Sequence, residues 1–151
     1  MGLEKILNEN LINLHLQAKN KDEAIRELTA MLQKEGKLRD AGQFVEDVYK
    51  REAEGWTGLG KHIAIPHGKS SAVLSTAIAI GRTPHALEWE SFDNKPVHFI
   101  ILFAVRTVDE TTVHLKLLSK VAVALADDEN LQKLLRSNDK KEVIKIMSKE
   151  S

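Results

Sequence analysis

Apolar positions along the chain first recur at helical spacing. Ile25, Leu28 and Leu32 share one face, Asn20 stands at an N-cap position with Glu23 three residues later, and Gly36 can end the helix. A second helix is predicted from Asp40, presenting Phe44, Val45, Val48 and Tyr49 and stopping near Gly55. A glycine-rich loop, Gly55-Trp56-Thr57-Gly58-Leu59-Gly60, follows. The period then shortens. Residues 63–65, 76–81 and 97–105 are short apolar runs with β-branched members between turn signals, and they predict strands. The last two are apolar on both faces, as central strands covered on each side are. A weaker strand is expected at 87–89, ahead of an Asp93-Asn94 turn. Three helices close the chain, at about 112–126, at about 128–136, and after Asn138 with Val143, Ile144 and Met147 inward. Helices, then strands, then helices imply a layered α/β domain with a sheet between helical layers. Strand order does not follow from such a pattern.

Composition narrows the class. The 151 residues are 42% hydrophobic and 29% charged, a globular balance and the size of one domain, 1–151. Twenty-two basic residues offset 22 acidic ones, which argues against a nucleic-acid footprint or a polybasic membrane anchor. The longest apolar run, 97–105, is interrupted by His98 and is far shorter than the ~20 residues of a membrane helix. The segment from Met1 to Asn10 is mixed and charged, unlike a signal peptide. A cytoplasmic protein without membrane insertion is therefore expected. There is no cysteine, which removes disulfides, thiolate metal sites and a thiol nucleophile.

Histidine is then the natural candidate for chemistry near neutral pH, and there are 6. Two stand out. His67 ends the run Ile63-Ala64-Ile65-Pro66-His67-Gly68. Pro66 holds the chain extended and Gly68 permits close approach, so the imidazole is either an ordinary strand exit or a rigidly held ring at a sheet edge. His114 falls between Leu118 and Leu125 on one side and Val121 on the other, on the apolar face in the first turn of its helix. It is either a core histidine bonded to a backbone carbonyl or a buried ring reaching a site, where the positive helix end disfavours its charged form. On the second helix, Arg51 is either a surface partner of Asp47 or a functional cation. Glu52 lies inside the apolar arc and needs donors, for which the amides of the glycine loop are nearest.

These residues resemble a family. Val48-Tyr49-Lys50-Arg51-Glu52, Thr57-Gly58-Leu59-Gly60 and Ile63-Ala64-Ile65-Pro66-His67-Gly68 are similar to the enzyme IIA domains of the bacterial sugar phosphotransferase system, fructose–mannitol class. Trp89, Asp93, Pro96-Val97 and His114-Leu115 agree, and the resemblance spans roughly residues 4–148. It implies a mixed β-sheet flanked by helices on both faces. It also implies that His67 accepts a phosphoryl group on Nε2 from the phosphocarrier HPr and passes it to a cysteine of a IIB component on another polypeptide. Arg51 matches the arginine that contacts the phosphoryl group and His114 a second active-site histidine. Glu52, Gly58, Gly60, Pro66 and Gly68 are expected to support them, the loop and Gly68 amides as further donors. No metal or nucleotide is required.

Trp56, His62, Asn94 and Arg106 depart from the family's usual pattern, away from the three principal residues. Similar domains of the nitrogen class use the same histidine for regulation by protein binding, which is the alternative function. A metal hydrolase built on His62, His67 and His114 is a further class, although a five-residue spacing across a proline is not helical ligand geometry. A non-catalytic interaction domain is the last. The transported sugar is not legible, because IIA domains contact proteins.

Overall fold

The computed structural model describes residues 6–148; the first half of the Met1–Asn10 segment lies outside the described residues. After a short 3-10 turn come β1 (Ile12–Asn13), α1 (Lys21–Lys34), α2 (Ala41–Glu52), β2 (Gly58–Gly60), β3 (Ile63–Ala64), β4 (His67–Lys69), β5 (Ala77–Leu87), β6 (Val97–Val105), α3 (Val113–Leu125), α4 (Asp128–Arg136) and α5 (Lys140–Ser148). The sheet is mixed. Its order is β1-β5-β6-β3-β2, with β4 also paired to β6. β5 runs antiparallel to β6, whereas β3 and β4 lie one after the other along the opposite side of β6, both parallel to it.

The double-sided strands become the centre because alternate side chains enter two different cores. Ile100, Leu102 and Ala104 of β6 pack with Leu28, Leu32, Phe44 and Val48 under α1 and α2. Phe99, Ile101, Phe103 and Val105 pack with Leu117, Val121, Leu134 and Met147 under α3, α4 and α5. The expected sheet between helical layers is therefore present.

Helix boundaries follow the local signals closely. Asn20 accepts from the Glu23 amide at 2.8 Å, and Asp40 accepts from the Gln43 amide at 3.1 Å. Glu23 reaches back one residue further than a standard capping box, to the Lys19 amide at 3.0 Å. Strand boundaries differ more. The expected strand at 87–89 is absent as a separate element, because β5 continues unbroken to Leu87. Its pairing lapses between Arg82 and Leu87, and Pro84, which has no N–H to offer, sits in that gap. β1, β2 and β4 were not foreseen; each is two or three residues long and owes its form to a neighbour rather than to propensity.

Candidate active site

β4 places His67 opposite Phe103 of β6, with the Phe103 amide donating to the Pro66 carbonyl at 3.0 Å. Successive residues then face opposite layers. His67 points to the α3 side and stacks on the Phe103 ring, with centroids 5.0 Å apart and planes 17° from parallel. His114, the second residue of α3, meets His67 edge-on at 4.9 Å and Phe103 at 5.6 Å. Both histidines are buried, and neither Nδ1 has a hydrogen-bond partner. His114 thus lacks the backbone carbonyl bond that an ordinary core histidine would make. With both Nδ1 atoms enclosed, contact with anything outside runs through Nε2.

Burial, then the neighbouring His114, Arg51 and Lys69, push the His67 pKa down to about 3, against a weak upward pull from the main chain of Ile65. Burial, then Lys69 and Arg51, also push His114 down. Both rings are therefore held neutral. The cause is desolvation and two cations rather than the helix end alone. The unfolded chain protonates His67 below about pH 6.5 and the folded chain only near pH 3, so the unfolded state binds more protons in that window, and the lowered His114 pKa acts in the same direction. Stability is full above it and falls on acidification, by about 1.4 kcal/mol per pH unit for each ring kept neutral. Unfolding free energies between about pH 6 and pH 4 should consequently fall less steeply for His67→Ala than for the wild type. Parallel slopes would contradict the neutral-ring assignment.

Arg51 lies in the last turn of α2 and donates from Nη1 to the Gly55 carbonyl at 3.1 Å. It does not pair with Asp47, which is engaged by Lys50 at 3.5 Å and by Gln43 at 3.2 Å. The surface-pair reading of Arg51 therefore fails. One bond leaves the rest of its five-donor fork uncommitted.

Glu52 is held, but not by the loop amides that seemed nearest. Lys21 lies 2.6 Å from Oε1, and the Thr57 hydroxyl donates to Oε2 at 2.6 Å. Thr57 in turn accepts from Trp89 Nε1 at 3.1 Å, and its carbonyl accepts from the Ile65 amide at 2.9 Å. Lys21 also reaches Glu90 at 3.0 Å and lies over the Trp89 ring. This network ties the start of α1, the end of α2 and the glycine loop to the segment that delivers His67. Lys21, Thr57, Trp89 and Phe103 were not read as site residues. Thr57 and Trp89 fall in segments that resemble the family but had no role assigned, and Lys21 and Phe103 carry no local motif; only the packing of α1 and the strand register bring them there.

The glycines act mainly by close approach. Gly68 is buried and ladder-paired with Ala104, so it is not the exposed donor expected; a Cβ on it would lie 2.3 Å from Phe44 Cε1 and 2.9 Å from Val48 Cγ2. Gly58 is likewise buried, with the Glu90 carbonyl 2.4 Å from where a Cβ would be, and Gly60 lies at φ +85° against Asp93. Gly68→Ala should cost about 1–3 kcal/mol by overpacking and push α2, with Arg51, away from β4. Thermal unfolding measures the first effect; an unchanged melting temperature would show that the strand and helix relax apart freely.

His62, the third histidine of the metal-hydrolase reading, is not with the other two. It bonds the Pro96 carbonyl at 2.8 Å and lies beside His98. Among the described residues no group of three or more His, Asp or Glu is arranged to hold a metal ion.

Comparison with known proteins shows the family and the fold. The family described as phosphoenolpyruvate-dependent sugar phosphotransferase system, EIIA 2, matches residues 5–150, and the chain belongs to it. It is 33% identical over 148 residues, 98% of its length, to the fructose-specific EIIABC component of Bacillus subtilis. The chain spans about a fifth of the length of the first curated relatives it matches, 23% and 20%. Among solved structures it is similar to the nitrogen regulatory protein IIA-Ntr of Neisseria meningitidis, with TM-score 0.87 and 30% identity over 96% of this chain and 98% of that one. It is also similar to the mannitol enzyme IIA of Escherichia coli, solved in complex with phosphorylated enzyme IIB, with TM-score 0.79 and 25% identity over 93% and 96% of the two chains.

Proposed function

We propose that His67 is a phosphoryl carrier, loaded by phospho-HPr and unloaded onto a cysteine of a IIB component in the uptake of fructose, mannitol or a related sugar. The carrying observation is an imidazole buried at Nδ1 and stacked flat on Phe103, with the Arg51 guanidinium, bonded only through Nη1 among the described residues, close enough to favour its neutral form. The Nε2 lone pair attacks phosphorus as the phosphorus–nitrogen bond to the donor histidine breaks. In the second step a IIB thiolate attacks, the sulfur–phosphorus bond forms, and the His67 nitrogen leaves with its lone pair. In-line transfer of this kind needs positioning and charge stabilisation on the equatorial oxygens, which the Arg51 fork and His114 supply. A cytoplasmic location goes with this reading, and no helix among the described residues is long and apolar enough to cross a membrane.

The partner surface follows from what is left exposed. Trp56, Leu59, Phe92 and Leu115 are exposed, Trp56 and Phe92 edge-on at 5.9 Å, and Leu115 follows His114 on α3. Ile63, beside the same loop, is core and takes no part in this rim. An apolar rim accepts two partners in turn without opposing the phosphoryl charge. Trp56→Ala should slow transfer from phospho-HPr by about tenfold or more, the loss of one aromatic contact, while Lys145→Glu on α5 should leave the rate nearly unchanged. Amide shifts from HPr mapping to α5 rather than to residues 56–68 would refute this surface.

A nitrogen-class regulatory role is the second reading, favoured by the higher TM-score to IIA-Ntr. Incubation with phospho-HPr and then with purified IIB separates them: onward transfer supports sugar uptake, whereas a stable phosphoprotein that IIB cannot unload supports regulation.

A further inference from the structure

At the end of the sheet away from His67 lies a second cavity of about 440 Å³, reached by His15, His62, Arg82 and His98. His98 and Phe103 are five residues apart on β6, which puts this cavity about 16 Å along the strand from the candidate active site. Among the described residues lining it none is acidic.

Arg82 is buried, and its guanidinium donates to the Leu134 carbonyl at 3.0 Å and to Asn138 Oδ1 at 2.7 Å. Those bonds cap the end of α4 and leave three of its five N–H groups. Burial alone pulls its pKa down, with no acidic neighbour acting on it. A buried guanidinium without a carboxylate is costly and is normally paired.

Two imidazoles stand beside it with their outward nitrogens free. His62 bonds the Pro96 carbonyl through Nδ1 at 2.8 Å, and His98 bonds the Thr83 carbonyl through Nδ1 at 3.0 Å. The second bond fills the gap where β5 and β6 lose their pairing. The rings lie 5.5 Å apart. With Nδ1 engaged, Nε2 is the nitrogen each ring has left for a ligand. His62 also sits at φ 72° in the two-residue turn between β2 and β3, after Lys61 at φ 55°. Such turn positions favour asparagine and glycine and also accept histidine.

We propose that this cavity binds a small phosphate monoester, its phosphoryl group held by Arg82, His62 and His98 and its carbon body by Leu14, Pro84 and Leu135. Three nitrogen-bearing side chains around one cavity match three phosphoryl oxygens better than the two of a carboxylate, and the apolar wall and volume exceed what bare phosphate fills. The proposal is independent of the chemistry assigned to His67.

Titration of the wild-type protein with glycerol 3-phosphate, followed by imidazole NMR, tests it. Saturable shifts at His62 and His98 are expected. His62→Asn, which suits the turn, should keep the melting temperature yet bind about tenfold more weakly or worse, one charge-assisted bond being lost; His98→Gln should also weaken binding. Inorganic phosphate and succinate run in parallel should bind more weakly than the monoester. Absence of saturation, equal binding of inorganic phosphate or succinate, shifts confined to His67 and His114, or unchanged affinity in both variants would each overturn the proposal.

Discussion

His67→Ala is expected to abolish phosphorylation by phospho-HPr while leaving the fold intact. Mass spectrometry of the wild type should reveal one acid-labile adduct of about 80 Da, one phosphoryl group, and the variant none. The reasoning is one of exclusion around a single atom. His67 and His114 are in edge contact and both neutral, but His114 is a helix residue whose ring abuts the side of the stack, whereas His67 is fixed from behind by Phe103 and from below by β4. A nucleophile must present a lone pair in a constant direction, and a ring clamped flat on another ring does so. The fold should survive, because the substitution removes a side chain from beside the core under α3, α4 and α5 rather than a ladder bond. An adduct that persists in His67→Ala would move the chemistry to another residue, with His114→Ala as the next variant to measure.

Arg51→Ala should lower transfer by about ten- to a thousandfold, the loss of one to three charge-assisted bonds at ~1.5 kcal/mol each. Its melting temperature should stay near that of the wild type. Among the described residues one bond, to the Gly55 carbonyl, ties the half-buried Arg51 to the folded protein, so its removal orphans no buried donor. His114→Ala should behave differently. His114 is buried against His67 and Phe103, so truncation leaves a void in the ring cluster and costs stability, of order 1–3 kcal/mol, as well as transfer. Arg51→Lys should recover only part of the rate, since an ammonium cannot grip two phosphoryl oxygens in a plane. Normal transfer by Arg51→Ala would return Arg51 to the surface and leave Lys69 as the cation to test.

Much of this protein was written locally. The capped helices, the two strands apolar on both faces and the Pro-His-Gly exit needed no tertiary information, because N-caps, helical periodicity and β-branched runs act within a few residues. A shared role for Arg51 and His67 was expected through resemblance to a family rather than through spacing, and in the fold the Arg51 cation lies close enough to act on the His67 ring.

Tertiary structure decided what depends on register. That His67 lies opposite Phe103, and so against His114, follows from β4 pairing with β6, an alignment in which a one-residue slip would turn the ring to the other face. That Glu52 is satisfied by Lys21 and Thr57 follows from α1 crossing the end of α2, which no window of the sequence contains. Gly68, read as a donor, proved to be the point where Phe44 and Val48 touch the strand. His62 and His98, far apart in the chain, meet because β3 lies beside β6. The sequence by itself determined which segments form helices and central strands and which residue types are available for chemistry. The sheet determined which of those residues meet, because contacts between strands are non-local and leave no periodic trace in the chain.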